Sequence, residues 1–171
     1  MLVRALAERE VGREYLALCL GVLTGGGTID EPIGRHRTQR TKMTVRGDGR
    51  EAITHYRIEQ RYRAHTLLRV QLETGRTHQI RVHMKHIGHT LFGDFEHGGD
   101  HILKGTTFAK YKQFVQNCLA ILPRQGLHAR SLGFNHPRTG EWMQFEKELP
   151  TDMQQVIERW RNYISAQQSE A

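Results

Sequence analysis

Several side chains that could bind an anion lie in residues 72–84, Leu-Glu-Thr-Gly-Arg-Thr-His-Gln-Ile-Arg-Val-His-Met. A helix is predicted to begin at Thr77, a favourable N-cap, and to end near Gly88. One face of this helix would be apolar, and the other would carry His78, Arg81, Lys85 and His89. The free N–H groups of a helix N-terminus, with arginine nearby, could bind phosphate or carboxylate. A solvated basic face is the alternative, and the spacing alone favours it.

A second group of cations lies between residues 35 and 42. The segment follows a glycine, and its composition is typical of a flexible loop that could settle on a phosphate backbone. A solvated run of charge is the alternative. The cations are Arg35, Arg37, Arg40 and Lys42, with His36 among them.

The 11 histidines raise the question of a metal site. His83, His86 and His89 are spaced by three residues, but they diverge around a helix that Gly88 is predicted to end. The chain contains no His-Glu-x-x-His and no Cys-x-x-Cys motif. We therefore expect no metal site.

The charge balance is consistent with a nucleic-acid partner. There are 25 lysines and arginines against 18 aspartates and glutamates, a formal net charge of +7, and the pI is about 9.8. Such a balance attracts polyanions, and salt weakens the attraction. Many basic proteins bind no RNA, so the net charge alone does not show whether this protein has a nucleic-acid partner.

The sequence also bears on the compartment of the protein. It has no apolar run long enough to cross a bilayer, and charges interrupt the first ten residues, which excludes a signal peptide. Cys19 and Cys118 have no spacing pattern and are predicted to be reduced and buried. We expect a cytoplasmic protein, a monomer, with no membrane partner.

Hydrophobic periodicity predicts an α+β fold. Alternating segments predict strands over 14–23, 52–62, 65–73, 127–135 and 141–148, and helical spacing predicts helices over 107–122 and from residue 150. Strands outnumber helices, and the helices flank them. We therefore expect one domain, 1–171, with a mixed, mostly antiparallel sheet flanked by helices.

Several motifs identify a family. Gly75-Arg-Thr-His-Gln-Ile-Arg-Val-His83 resembles the signature of the RluA/RluD class of RNA pseudouridine synthases. The resemblance covers roughly residues 8 to 160. Further matching motifs follow in family order: Arg13-Glu-Tyr-Leu-Ala17, Asp30-Glu-Pro-Ile33, Arg35-His36, Arg40-Thr-Lys-Met43, Ala52-Ile-Thr-His-Tyr56, Gly93-Asp94, Leu127-His-Ala129 and His136-Pro137.

The resemblance implies isomerisation of uridine to pseudouridine in RNA, with ribosomal RNA of the large subunit as the expected substrate and no cofactor. Arg81 matches the family arginine that keeps a catalytic carboxylate ionised. Tyr15 matches the tyrosine that packs on the flipped base and is a candidate for proton abstraction. Ile80 would support the base pocket or the core. The implied RNA contacts are Arg35, Arg37, Arg40, Lys42, Arg76, His78 and Lys85.

Two departures from the family pattern stand out. The family nucleophile is an aspartate in a His-Arg-Leu-Asp-type segment before the tyrosine motif, and no Arg-Leu-Asp occurs in this sequence. Phe95-Glu-His97 follows Gly93-Asp94, where the family usually has a proline and a tyrosine. We therefore expect the C-terminal portion of a catalytic domain, inactive alone, in which Arg81 lacks its carboxylate partner. A non-catalytic RNA-binding remnant or interaction fragment is the alternative.

Overall fold

A six-stranded antiparallel sheet organises the protein. The computed structural model describes residue 4, residues 11–101 and residues 109–169. The strand order is β2-β5-β6-β1-β7-β8, and every pairing among these strands is antiparallel. The strands are β1 (Gly12–Leu20), β2 (Gly27–Asp30), β5 (Ile53–Arg61), β6 (His65–Leu72), β7 (Leu127–Asn135) and β8 (Trp142–Glu146).

A small second sheet stands beside the first. It pairs β3 (Ile33–Arg35) with β4 (Met43–Val45). The loop between these strands carries most of the cations predicted for residues 35–42, so that segment is a strand end followed by a loop.

Three α-helices and one 3-10 turn complete the described fold. They are α1 (Gln79–His86), the 3-10 turn (Phe95–His97), α2 (Ala109–Ile121) and α3 (Thr151–Ser169). None of these helices combines the length and apolarity needed to cross a membrane. The predicted α+β class and the mostly antiparallel sheet are confirmed.

Alternation along β1 assigns the two faces of the sheet. Leu16, Leu18 and Leu20 pack in an apolar cluster with residues of α2 and α3, whereas Ala17 and Cys19 pack in a cluster with residues of α1. Successive side chains of a strand point to opposite faces. The helix with the sequence signature therefore lies on one face, and the two longer helices lie on the other.

The start of α1 differs from the prediction. The predicted N-cap at Thr77 is wrong, because the helix begins at Gln79 and its N-cap is His78, with φ 55° and no capping side-chain bond. Gln79 closes the preceding turn instead: its Oε1 accepts hydrogen bonds from Thr74 Oγ1 (2.9 Å) and from the N–H of Arg76 (3.0 Å). The predicted stop is confirmed, since Gly88 has φ 82°.

A buried histidine should make stability depend on pH. The ring of His65 stacks on Trp160, with centroids 4.1 Å apart, and burial lowers the pKa of His65 to about 3. An unfolded histidine titrates near pH 6.5. Below that pH the unfolded state binds a proton that the folded state excludes, so the free energy of unfolding should fall by about 2 kcal/mol between pH 7 and pH 5.

The measurement is denaturant unfolding of the parent chain and of His65→Phe at both pH values. Phenylalanine keeps an aromatic ring against Trp160 but cannot bind a proton, so the fall should be mostly lost in this variant. His101→Gln serves as the control, because His101 is exposed. An equal fall in the free energy of unfolding in the parent and in His65→Phe would contradict the assignment of this pH dependence to His65.

Candidate active site

Arg81 is the centre of a buried ionic network. Its Nε donates to Asp94 Oδ2 (2.8 Å), and its Nη2 donates to Asp94 Oδ1 (2.8 Å) and to Glu96 Oε2 (2.6 Å). The Asp94 side chain is fully buried, and that of Arg81 is 11% exposed. The expectation that Arg81 lies on an outward face is therefore wrong. Its partner here is Asp94, which is a different carboxylate from the nucleophile of the family motif. A bidentate pair of this kind fixes the plane of the guanidinium as well as its charge.

The network keeps Asp94 ionised. Burial opposes ionisation, but hydrogen bonds from Arg81 and His97 outweigh it, so the pKa of Asp94 lies well below its usual range. The hydrogen bond to Asp94 is the main reason that the pKa of Arg81 is raised. Opposite charges at hydrogen-bond distance favour the charged form of both groups.

Local backbone geometry brings Asp94 to Arg81. Gly93 has φ 78°, and a Cβ at this position would lie 2.1 Å from the carbonyl oxygen of Arg124. Only glycine fits this turn, which carries the chain from a buried segment into the 3-10 turn. In the sequence, Asp94 stood out only as part of the Gly93-Asp94 motif, and no role was predicted for it. That motif was the sequence feature that could have identified Asp94 as a site residue.

His97 extends the network by one residue. Its Nδ1 lies 3.0 Å from Asp94 Oδ2, and since a carboxylate oxygen can only accept, Nδ1 donates. Its Nε2 is buried and has no hydrogen-bond partner among the described residues. From the sequence, His97 was noted only as part of Phe95-Glu-His97, which departs from the family pattern, and no role was predicted for it.

A buried polar chain fastens α1 to β5. Gln79 Nε2 donates to Thr54 Oγ1 (2.9 Å), and His83 Nδ1 lies 2.7 Å from the same hydroxyl. His83 Nε2 lies 2.8 Å from the carbonyl oxygen of Glu31, so Nε2 carries the proton and Nδ1 accepts from Thr54. Burial is the main reason that the pKa of His83 is lowered. Two residues of the signature thus orient the helix that carries Arg81.

Tyr15 and Ile80 lie in one apolar cluster on the α1 side of the sheet. Tyr15 is half-buried on β1, beside a register irregularity in the pairing with β7, and Ile80 is 3% exposed. The structure therefore brings both residues to the sheet face on which Arg81 is held. No hydrogen bond joins Tyr15 to Arg81 within the described residues.

The predicted RNA contacts fall into two groups. Lys42 and Lys85 line one cavity, and Lys42 Nζ also donates to the carbonyl oxygen of Glu96 (3.0 Å). The other five are spread over the loop after β3 and the turn before α1. Arg35 bonds the carbonyl of Arg40 and Arg76 bonds that of Glu51, while Arg37, Arg40 and His78 are exposed.

The acidic side chains near Arg81 are poorly suited to a metal. Ligand atoms of Asp94, Glu96 and His97 lie within 4.8 Å of one another. Arg81 already occupies both carboxylate oxygens of Asp94 and one of Glu96, and a guanidinium at this position would repel a second cation. His83, the first of the regularly spaced histidines, has both ring nitrogens in hydrogen bonds.

Comparisons with known proteins show the family and agree with the fold. The family model described as RNA pseudouridylate synthase matches residues 1–86. Since this is half of the chain, the protein belongs to that family, as the motifs predicted. The human RNA pseudouridylate synthase domain containing 1 shares the fold, with a TM-score of 0.65 and 23% identity over 93% of this chain and 69% of that one.

Curated relatives are closer in sequence. Ribosomal large subunit pseudouridine synthase D from Pseudomonas aeruginosa is 52% identical over 151 residues, 88% of this chain and 46% of its own length. The proteins of the same name from Vibrio cholerae and Escherichia coli K12 are 50% and 49% identical, over 89% and 94% of this chain and 46% and 48% of their lengths. The chain spans about half the length of the curated relatives it matches.

Proposed function

We propose that this chain supplies part of the catalytic domain of an RNA pseudouridine synthase, which isomerises uridine in ribosomal RNA of the large subunit. One observation carries the proposal: the signature arginine, Arg81, is held rigidly in a buried fork by Asp94. Family membership and the names of the curated relatives support the reaction and the substrate.

Arg81 would orient the nucleophile. Its Nη1 has no hydrogen-bond partner among the described residues, so this nitrogen is available to a second carboxylate. A catalytic aspartate bonded there would stay ionised in a site closed to water, as covalent attack on the uridine requires. Asp94 acts through Arg81 and is a positioning residue.

Tyr15 and Ile80 would form the wall that receives the base. A uridine must leave its stack to be reached, and an aromatic ring next to an aliphatic side chain offers it a replacement surface. Tyr15 would also take the proton that the reaction releases. Its position on the α1 side of the sheet supports this role.

The predicted basic residues would hold the RNA backbone without reading sequence. They are the predicted Arg35, Arg37, Arg40, Lys42, Arg76, His78 and Lys85. The two described cysteines are free and buried, which supports the cytoplasm as the compartment. We also propose a single domain and a monomer.

A non-catalytic RNA-binding role is the second candidate. The observation that favours it is the absence of Arg-Leu-Asp from the sequence. Asp94 is a poor substitute for that nucleophile, because both of its oxygens are bonded and the side chain is fully buried.

The two candidates predict different results in a tritium-release assay with 5-tritiated uridine in ribosomal RNA. The 171-residue chain alone should release no tritium. The chain joined to a segment with the family's His-Arg-Leu-Asp motif should release it. Failure of the joined protein, if folded, would favour the non-catalytic role. Release by the chain alone would place the nucleophile among its own aspartates, Asp30, Asp48, Asp94, Asp100 and Asp152.

A further inference from the structure

A cavity of about 310 Å³ lies between the β3–β4 sheet and α1. Part of its wall is apolar and includes Val82. Its polar lining comes from the loop after β3, from β4, from α1 and from the 3-10 turn, and consists of His36, Gln39, Lys42, Thr44, Lys85, His86 and His97.

The lining is positively charged and contains no carboxylate. Lys42 enters from the loop after β3, and Lys85 enters from α1. Two carboxylates lie beside lining residues: Asp94 Oδ2 is 3.0 Å from Nδ1 of His97, and Glu31 Oε1 is 3.9 Å from Nε2 of His86. An ammonium group is a compact charge with three donors, and Lys42 uses one of them on the carbonyl of Glu96. The cavity therefore suits an anion that accepts several hydrogen bonds.

His97 provides an independent sign of a ligand. Its side chain is 4% exposed, and Nδ1 is committed to Asp94. Nε2 at the opposite side of the ring is buried without a partner, although His97 lines the cavity. A ligand that supplied a partner to this nitrogen would therefore be favoured.

We propose that this cavity binds a phosphate group of the RNA backbone, with Lys42 and Lys85 as its donors. The proposal of RNA as the source rests on the proposed function, whereas phosphate binding itself does not. The site would join the substrate to the catalytic network, because His97 contacts both the cavity and Asp94. Backbone contacts of this kind fix register and orientation rather than sequence.

The experiment titrates the 171-residue chain with inorganic phosphate and, separately, with a short oligouridylate, and follows the imidazole nitrogens of His97 by NMR. Both ligands should give a saturable shift of Nε2. Lys85→Ala should weaken both titrations and reduce the salt slope of oligouridylate binding by about 1. Lys112→Ala is the matched control, because Lys112 is exposed on α2, on the opposite face of the sheet.

Each outcome has a defined meaning. No Nε2 shift with either ligand would overturn the phosphate site. A shift with inorganic phosphate alone, and oligouridylate binding insensitive to Lys85→Ala, would overturn RNA as the source. Equal effects of Lys85→Ala and Lys112→Ala would also overturn the site, since they would reflect net charge only. No turnover is measured, so failure here is distinct from failure of the tritium assay.

Discussion

Replacing Asp94 by Asn is expected to lower the free energy of unfolding by about 3–5 kcal/mol, because it leaves the buried guanidinium of Arg81 with only the half-exposed carboxylate of Glu96 as a counter-charge. Asparagine has nearly the same shape, so no cavity is created. The amide can accept only one of the two hydrogen bonds that Arg81 now makes with the carboxylate. Differential scanning calorimetry should show a melting temperature lower by about 6–20 °C.

Glu96→Gln is the matched control for this prediction. Glu96 bonds the same guanidinium at 2.6 Å, but its side chain is 46% exposed. Water screens such a pair, and its loss should cost less than about 1 kcal/mol. Similar melting temperatures for Asp94→Asn and Glu96→Gln would show that Asp94 is not the principal anchor of Arg81.

Local patterns were sufficient to predict much of the sheet. Alternation predicted the neighbouring strands β5 and β6 and the hairpin of β7 and β8 within a few residues, since each pairing is between segments close in sequence. The apolar face of α1 was also correct: Ile80 and Met84 are both buried. These features depend on the period of hydrophobic residues, which is visible in a single sequence.

The ionic network could not be predicted in the same way. Helical periodicity placed Arg81 with Lys85 on a polar face, and polar faces of helices are usually solvated. Arg81 is buried because a turn at Gly93 returns the chain and places Asp94 against the helix, 13 residues later. No periodic signal encodes that contact.

The N-terminal turn of α1 was missed for a related reason. Threonine is a common N-cap, so Thr77 was the natural choice. The side chain of Gln79 instead satisfies the donors of this turn, while its amide binds Thr54 on β5. A tertiary contact thus overrode a local preference. Family motifs supplied what periodicity could not, since they singled out Arg81 and Tyr15 before any contact was known.

Arg81→Lys should have the largest effect on catalysis. In the chain joined to the His-Arg-Leu-Asp segment, we expect the rate of the chemical step to fall by about 10²–10³. Lysine keeps the positive charge, but a single ammonium cannot hold Asp94 through two parallel bonds and also present a third donor to the nucleophile. RNA affinity should change much less, because other cations contact the backbone.

Arg138→Lys is the control for this substitution. Arg138 lies in the turn between β7 and β8 and is exposed, so the same chemical change there should leave the rate near that of the parent. Circular dichroism of both variants would establish that each is folded before the rates are compared.

Single-turnover tritium release from 5-tritiated uridine in ribosomal RNA, compared between the joined protein and its Arg81→Lys variant, tests the catalytic assignment most directly. We expect a folded variant that still binds RNA but releases tritium about 10²–10³ times more slowly. A rate close to that of the parent would contradict the assignment, because Arg81 would then serve only to pair with Asp94 in the core.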